Sequence, residues 1–132
     1  MDAILILNPF AGSAASVREV RSLLSEREGW RIWQTEHEGH AEELAACAID
    51  EGADRVVAAG GDGTVREVVN GMMRPDEHDV PLGILPVGTG NDLARTLDLP
   101  THLIEAVEVI EEGHTRVIDL IRAEHEDEGV RY

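Results

Sequence analysis

Residues 58–71, AAGGDGTVREVVNG, decide how this chain folds, because three glycines and an aspartate here join an apolar run to a helical pattern. A Gly-Asp-Gly turn is typical of a β-hairpin only when strands flank it on both sides. The apolar residues that follow instead recur at helical spacing; they are Val65, Val68, Val69, Met72 and Met73. We therefore predict that residues 60–63 form a strand-to-helix loop. Thr64 and Glu67 have the spacing of a capping box, which predicts that the helix begins at Thr64.

Such a loop is suited to phosphate, because glycines let backbone amides approach an anion at the positive end of a helix. The alternative is a tight turn that binds nothing. Two further glycine-bearing polar loops follow apolar runs, NPFAG at residues 8–12 and PVGTGND at residues 86–92. After parallel strands, three such loops converge at the sheet edge where ligands collect in α/β folds. Their number favours a binding cleft over ligand-free turns.

The remainder of the chain alternates apolar runs with amphipathic helical patterns. Runs that are apolar at successive positions indicate strands covered on both faces, as in a parallel sheet. We predict a three-layer α/β/α sandwich with a mostly parallel sheet, since strand and helix alternate along the chain. The five predicted strands are residues 3–7, 30–35, 55–59, 82–85 and 115–121.

Length and composition favour a single globular domain. The chain has 132 residues, of which 42% are apolar, and none of its apolar runs approaches the roughly 18 residues that cross a bilayer. The first residues lack the basic flank and apolar stretch of a signal peptide, so we expect a cytoplasmic location. The single cysteine, Cys47, lies in an alanine-rich helical pattern and is interpreted as a passive thiol.

The charge is strongly acidic: 27 acidic residues oppose 11 basic ones, all of them arginine, for a formal net charge of −16. Such a charge repels nucleic acid and anionic membrane surfaces, so we expect no nucleic-acid partner. We interpret the acidity as adaptation to high salt, where charge is screened; an acidic mesophilic protein from an organism with a biased genome is the alternative. The lysine-bearing P-loop is excluded and the glycine-rich Rossmann fingerprint is absent. The negative charge of a bound phosphate must then be balanced by backbone amides, arginine and a metal ion.

Three motifs carry a family resemblance: NPFAG, GGDGTVREVVNG at residues 60–71, and LGILPVGTGNDLAR at residues 82–95. In this order and spacing they resemble the catalytic domain of the diacylglycerol kinase and sphingosine kinase superfamily, and most of all its prokaryotic lipid kinases. The resemblance covers residues 3–122. It implies the nucleotide-binding N-terminal domain of the NAD kinase and phosphofructokinase-like fold. It also implies transfer of the γ-phosphoryl group of ATP, with Mg²⁺, to a lipid hydroxyl.

The resemblance implies site residues position by position. Asp62 and Asp92 are the catalytic candidates, and their general-base and metal-ligand roles stay open. Glu67 and Asn70 are further candidates, with a capping carboxylate and a polar helix residue as the alternatives. The residues implied to contact the nucleotide are Asn8, Pro9, Gly12, Thr35, Gly60, Gly61, Asp62, Gly63, Thr64, Glu67, Thr89, Gly90 and Asn91.

The family also has a second, mainly β domain that supplies lipid contacts, metal ligands and a catalytic aspartate. We therefore expect residues 1–122 to form the nucleotide-binding domain and residues 123–132 to begin the second one. On this view the chain by itself binds nucleotide without turnover. Peripheral contact with the inner face of the membrane is then expected through the second domain.

Several alternatives stay open. An NAD kinase shares the GGDGT loop, a sugar kinase of the phosphofructokinase type has its own glycine-aspartate loop, and a regulatory module could bind nucleotide without catalysis. His37 and His40 are three residues apart, but no third metal ligand is evident from the sequence, which favours surface histidines. The lipid acceptor is open among diacylglycerol, a long-chain base, a diether alcohol and a polyprenol.

The acidity generates a prediction about salt. If it is an adaptation to high salt, molar KCl should raise the midpoint of thermal unfolding by screening repulsion between carboxylates. The measurement is thermal unfolding followed by circular dichroism across a KCl series. A midpoint that stays constant or falls would contradict the halophilic interpretation.

Overall fold

The computed structural model describes residues 1–88, 90–127 and 129–132. Four strands form one sheet in the order β2-β1-β3-β4, and every neighbouring pair in it is parallel. They are β1 (Ala3–Leu7), β2 (Trp30–Gln34), β3 (Arg55–Gly60) and β4 (Leu82–Pro86). Each agrees with a predicted strand to within one residue, so the predicted parallel sheet is confirmed.

Helices cover both faces of this sheet. They are α1 (Ala14–Ser25), α2 (His40–Asp50), α3 (Asp62–Met72), α4 (Asp92–Thr96) and α5 (Leu103–Glu112). One buried cluster packs α2 and α3 on one face, and a second packs α1 and α5 on the other. The predicted three-layer sandwich is therefore confirmed. Within the described part of the chain, no helix combines the length and apolar character needed to span a membrane.

Strand β1 is the centre of the core, and all five of its residues are completely buried. Ile4 and Ile6 pack into the cluster of α2 and α3, whereas Leu5 and Leu7 pack into the cluster of α1 and α5. Successive side chains of a strand point to opposite faces. A strand covered on both faces must therefore be apolar at every position, and this is why the run AILIL has no polar alternation.

The predicted fifth strand at residues 115–121 is wrong. Helix α5 ends at Gly113, which has a φ of +78°, and residues 114–122 form no strand. Val117 is 95% exposed and Ile121 is 87% exposed, so the segment lacks the cover that a buried strand requires. An apolar run predicts burial only if the fold supplies neighbours for it. The chain instead makes a separate antiparallel pair, β5 (Ala123–His125) with β6 (Gly129–Arg131).

Polar contacts attach the end of β6 to helices α2 and α3. The Asn70 side chain donates to the Tyr132 carbonyl oxygen at 3.2 Å and accepts from the Tyr132 amide at 2.9 Å. The nearly buried carboxylate of Glu42 forms ion pairs with Arg131 at 2.7 Å and with Arg74 at 2.5 Å. Asn70 thus pairs with the backbone of residue 132 much as a strand neighbour would.

The contact between α2 and α3 predicts the effect of one methyl group. A Cβ at Gly71 would overlap the carbonyl oxygen of Glu42 and lie 2.8 Å from the Cβ of Ala45. Gly71→Ala should lower the free energy of unfolding by about 1–3 kcal/mol through overpacking. The matched control is Gly63→Ala in the same helix, where an added Cβ meets nothing within 4 Å. Urea unfolding measures both, and equal stabilities of the two variants would contradict this packing.

Candidate nucleotide-binding site

The loops after β1, β3 and β4 meet at one edge of the sheet. The strands end in register, with Leu7 opposite Ala59 and Gly60 opposite Pro86. Beyond this edge, the Asn8 side-chain amide donates to the Thr64 hydroxyl at 3.3 Å and so connects the first loop to α3. The structure therefore brings together the three loops that the sequence analysis expected to converge.

Close backbone approach explains several of the glycines in these loops. A Cβ at Gly88 would lie 2.5 Å from the Cα of Gly61, so the second and third loops touch through backbone atoms. Gly12, with a φ of +67°, packs directly against the carbonyl oxygen of Val87. Gly60 ends β3 and packs against the Thr64 side chain. In the structure Gly12 and Gly60, both implied as nucleotide contacts, hold the loops together.

A cavity of about 570 Å³ opens beside these loops. This volume is in the range of small-molecule sites. Its lining includes six of the residues that the family resemblance implied for the nucleotide, and they come from three separate segments of the chain. The six are Asn8, Thr35, Gly61, Gly63, Thr64 and Glu67.

Helix α3 begins at Asp62, two residues before the predicted start at Thr64. Gly61 is the N-cap residue, and no side chain among the described residues caps the helix. The first intrahelical bond runs from the amide of Val65 to the carbonyl of Gly61. The three amides before Val65 thus have no acceptor within the helix, which is the arrangement that binds anions at helix N-termini. The capping-box prediction is wrong because Thr64 lies inside the helix, where its hydroxyl accepts from Asn8.

Asp62 connects α3 to the start of α4. Its Oδ2 accepts from the amide of Asp92 at 3.2 Å, and its Oδ1 accepts from the amide of Leu93 at 3.4 Å. Helix α4 has no side-chain cap of its own at Asn91, so Asp62 caps it from a distant part of the sequence. A carboxylate at a helix N-terminus is favoured by the helix dipole and by charge-assisted hydrogen bonds. The side chain nevertheless stays exposed to ligand.

The remaining residues of the third loop surround this carboxylate. A Cβ at Gly90 would lie 3.0 Å from the Asp62 Oδ2 and 3.9 Å from the Asp92 Oδ1, so both candidate catalytic carboxylates lie beside Gly90. Asn91 is left-handed, with a φ of 54°, and its side chain donates to the Gly88 carbonyl at 2.8 Å. Thr89, implied as a nucleotide contact, lies outside the described residues.

The sequence did not indicate which contacts are made by Glu67, Asn70 and Pro9. The Glu67 Oε1 accepts from the Gly39 amide at 2.6 Å and thereby attaches the β2–α2 loop to α3. Asn70 is nearly buried and holds residue 132, so it contributes to packing rather than to the cavity. Pro9 is half-buried in the turn after β1 and, in the described structure, outside the cavity lining.

Sequence reasoning missed five further lining residues, which are Phe10, Ala11, His37, Glu38 and Arg66. Arg66 could have been found, because it lies one helical turn after Gly63 and the site needs a cation for phosphate. Phe10 is the only phenylalanine of the chain and is 85% exposed. His37 and Glu38 reach the cavity only because Glu67 holds their loop there, and local sequence carries no signal for this.

Comparisons with known proteins give a consistent result. Residues 2–123 match the family model described as the diacylglycerol kinase catalytic domain. The chain is 38% identical over 122 residues to a diacylglycerol kinase of Staphylococcus saprophyticus, and 40% identical over 122 residues to that of Staphylococcus haemolyticus. These alignments cover 89% of this chain but only 40% and 37% of the relatives, respectively.

Solved structures agree. The crystal structure of a diacylglycerol kinase from Bacillus anthracis superposes with a TM-score of 0.71 at 32% sequence identity. The superposition covers 86% of this chain and 40% of the other.

The open space at Gly63 predicts a selective loss of binding. Gly63 lines the cavity and has nothing within 4 Å of an added Cβ, so Gly63→Ala should fold normally and place a methyl group where a phosphate would approach. Calorimetric titration with MgATP should show affinity reduced at least about tenfold, or about 1.4 kcal/mol. Unchanged affinity in a variant of unchanged thermal midpoint would show that no phosphate approaches this amide.

Proposed function

Because this chain belongs to the family of diacylglycerol kinase catalytic domains, we propose that it is the nucleotide-binding part of a lipid kinase. The proposed reaction transfers the γ-phosphoryl group of ATP to a lipid hydroxyl. The chain spans about two fifths of the length of the relatives it matches. The activity is therefore proposed for the protein that contains this domain.

One observation carries the proposal: the start of α3 lies open at a cavity lined by the loops after β1, β2 and β3. Gly61 and Gly63 line this cavity, and a Cβ at either position would lie at least 3.8 Å from other atoms of the protein. Space and unbonded amides thus coincide at the positive end of an 11-residue helix. A nucleotide phosphate suits this combination because it is anionic and accepts several hydrogen bonds.

Other lining residues supply the remaining requirements of a nucleotide. Arg66 contributes a guanidinium, the group that best matches phosphate oxygens in charge and geometry. Asn8 and Thr35 contribute polar groups at the ends of β1 and β2. The exposed ring of Phe10 offers an apolar face to the base. Together they accommodate an anion at one end and a planar group at the other.

The carboxylates beside Gly90 fit the needs of Mg²⁺ and of the acceptor hydroxyl. Magnesium binds through one or two carboxylates together with substrate phosphates, and it would neutralise charge on the transferring group. Asp62 and Asp92 have exposed carboxylates on this side of the sheet edge and would hold it. Since Asp62 also caps α4, a change in its charge acts on the third loop as well. We assign Asp62 and Asp92 to metal and acceptor positioning on this basis.

The acceptor is proposed to bind between this domain and a second one. We propose residues 1–122 as the nucleotide-binding domain and residues 123–132 as the start of a mainly β domain. The separate β5–β6 sheet supports this division, because it pairs with no strand of the main sheet in the described structure. Phosphoryl transfer depends above all on a positioned acceptor. We therefore expect the 132-residue chain alone to bind MgATP without turnover, and the second domain to contact the membrane.

The test uses the protein expressed from its complete gene, with radiolabelled ATP and a total lipid extract. Wild-type protein should phosphorylate a lipid. Asp62→Asn should lower kcat at least about 100-fold, because a neutral amide holds Mg²⁺ and the two α4 amides less strongly than a carboxylate does. The matched control is Asp76→Asn, at an exposed residue of the loop between α3 and β4, and it should keep full activity.

The possible outcomes separate the alternatives. Full activity of Asp62→Asn would contradict the role given to this residue. Nucleotide binding without lipid phosphorylation by the wild type would overturn the kinase proposal in favour of a regulatory module. Phosphorylation of NAD instead of lipid would favour the NAD kinase alternative.

A further inference from the structure

A cluster at the rim of the nucleotide cavity has the composition of a metal site. His37 and His40 lie at the start of α2, and Glu43 follows one turn later on the same helix. One ligand atom from each residue lies within 4.8 Å of the other two. The sequence indicated the two histidines but no third ligand, and the fold supplies one. We propose that His37, His40 and Glu43 bind a divalent transition-metal ion of the zinc class.

The donor set selects the kind of metal. Two imidazoles and a carboxylate form the three-residue set of zinc sites that keep a fourth position open to water or another ligand. Imidazole favours zinc, cobalt, nickel and copper, whereas magnesium and calcium prefer oxygen ligands. This site is therefore chemically distinct from one that holds the magnesium of MgATP.

The tautomer of His37 is already the one that coordination requires. Its Nδ1 lies 2.9 Å from the carbonyl oxygen of Glu38. A carbonyl can only accept, so the Nδ1 carries the proton and the Nε2 keeps a free lone pair. Histidine ligands usually donate their second N–H to a carbonyl or carboxylate in this way, which fixes the ring and its tautomer.

His40 must exchange one hydrogen bond for the metal. Its Nδ1 accepts from the Glu36 amide at 2.9 Å, so this lone pair is in use in the metal-free protein. Coordination through Nδ1 would transfer the lone pair to the ion and release the amide. Glu36 is exposed, so water can take over the amide and the net loss is small. Metal binding can therefore be detected by the loss of the hydrogen bond of the Glu36 amide.

The surroundings favour a cation and hold the loop. The rings of His37 and His40 stack in the metal-free protein with centroids 4.6 Å apart, so they are close enough to share an ion once one ring turns its lone pair toward it. The Gly39 amide between them donates to Glu67, which attaches this loop to α3. The net charge of −16 attracts cations to the surface in general. His37 also lines the nucleotide cavity, so the bound ion would lie at its rim.

The test titrates the 132-residue chain, without a histidine tag or nucleotide, with Co²⁺ as a spectroscopic probe. One ion per chain with the intense visible bands of tetrahedral Co²⁺ is expected. His37→Gln, His40→Gln and Glu43→Gln should each weaken binding at least about tenfold, the loss that even outer-shell changes cause. His114→Gln and Glu108→Gln, at exposed positions outside the cluster, are matched controls and should leave binding unchanged.

A second measurement uses the wild type alone and does not depend on how the variants fold. Zn²⁺ should shift the NMR signal of the Glu36 amide and speed its hydrogen exchange, because the ion displaces that amide from His40. The proposal is overturned by the absence of saturable binding, by binding that survives all three cluster variants, or by equal losses in the controls. An unchanged Glu36 amide at saturating Zn²⁺ overturns it as well.

Discussion

The complete burial of β1 is the constraint on which the rest of the structure depends. This strand lies between β2 and β3 and under helices on both faces, so no polar side chain can occupy it. Its parallel register with both neighbours places the carboxyl ends of the strands together. Asn8, Thr35 and Gly61 therefore reach one cavity although they are far apart in the chain. The position of the site is a consequence of how the core is covered.

Helix α3 connects the parts of this site through its two carboxylates. Asp62, at its first residue, holds the start of α4, and Glu67 holds the loop before α2. The start of α4 and the β2–α2 loop are thus both attached to α3. Hydrogen bonds from carboxylates to backbone amides are stronger than neutral ones, which suits them to position loops. The acidic residues here organise the protein, while the first amides of the same helix have no acceptor within it.

The glycines of the site have two different functions. Gly12, Gly60 and Gly88 allow loops to touch, because a side chain there would collide with the protein itself. Gly61 and Gly63 instead leave space open toward the cavity, and a side chain there would collide only with a ligand. The same residue type therefore allows close packing at one position and keeps the cavity open at the next. Only the three-dimensional neighbours of each Cβ distinguish the two cases.

The sequence by itself determined the parallel sheet, the three converging loops and the family. Continuous apolar runs such as AILIL occur where both faces are buried, and the three motifs occur in an order characteristic of one superfamily. Five of the lining residues lie in those motifs, and the family resemblance added Thr35. Local patterns succeed here because burial and helical periodicity are properties of neighbouring residues.

Only the tertiary structure decided which groups are partners. Helix α3 begins at Asp62 rather than at Thr64, and the two expected capping groups have distant partners: Asn8 donates to the Thr64 hydroxyl and Gly39 to the Glu67 carboxylate. Residues 115–121 form no strand despite their apolar pattern, since the fold leaves Val117 and Ile121 exposed. These outcomes depend on distances between residues that are far apart in the chain. Propensity and periodicity describe only neighbours, so the choice of hydrogen-bond partner is made when the layers pack.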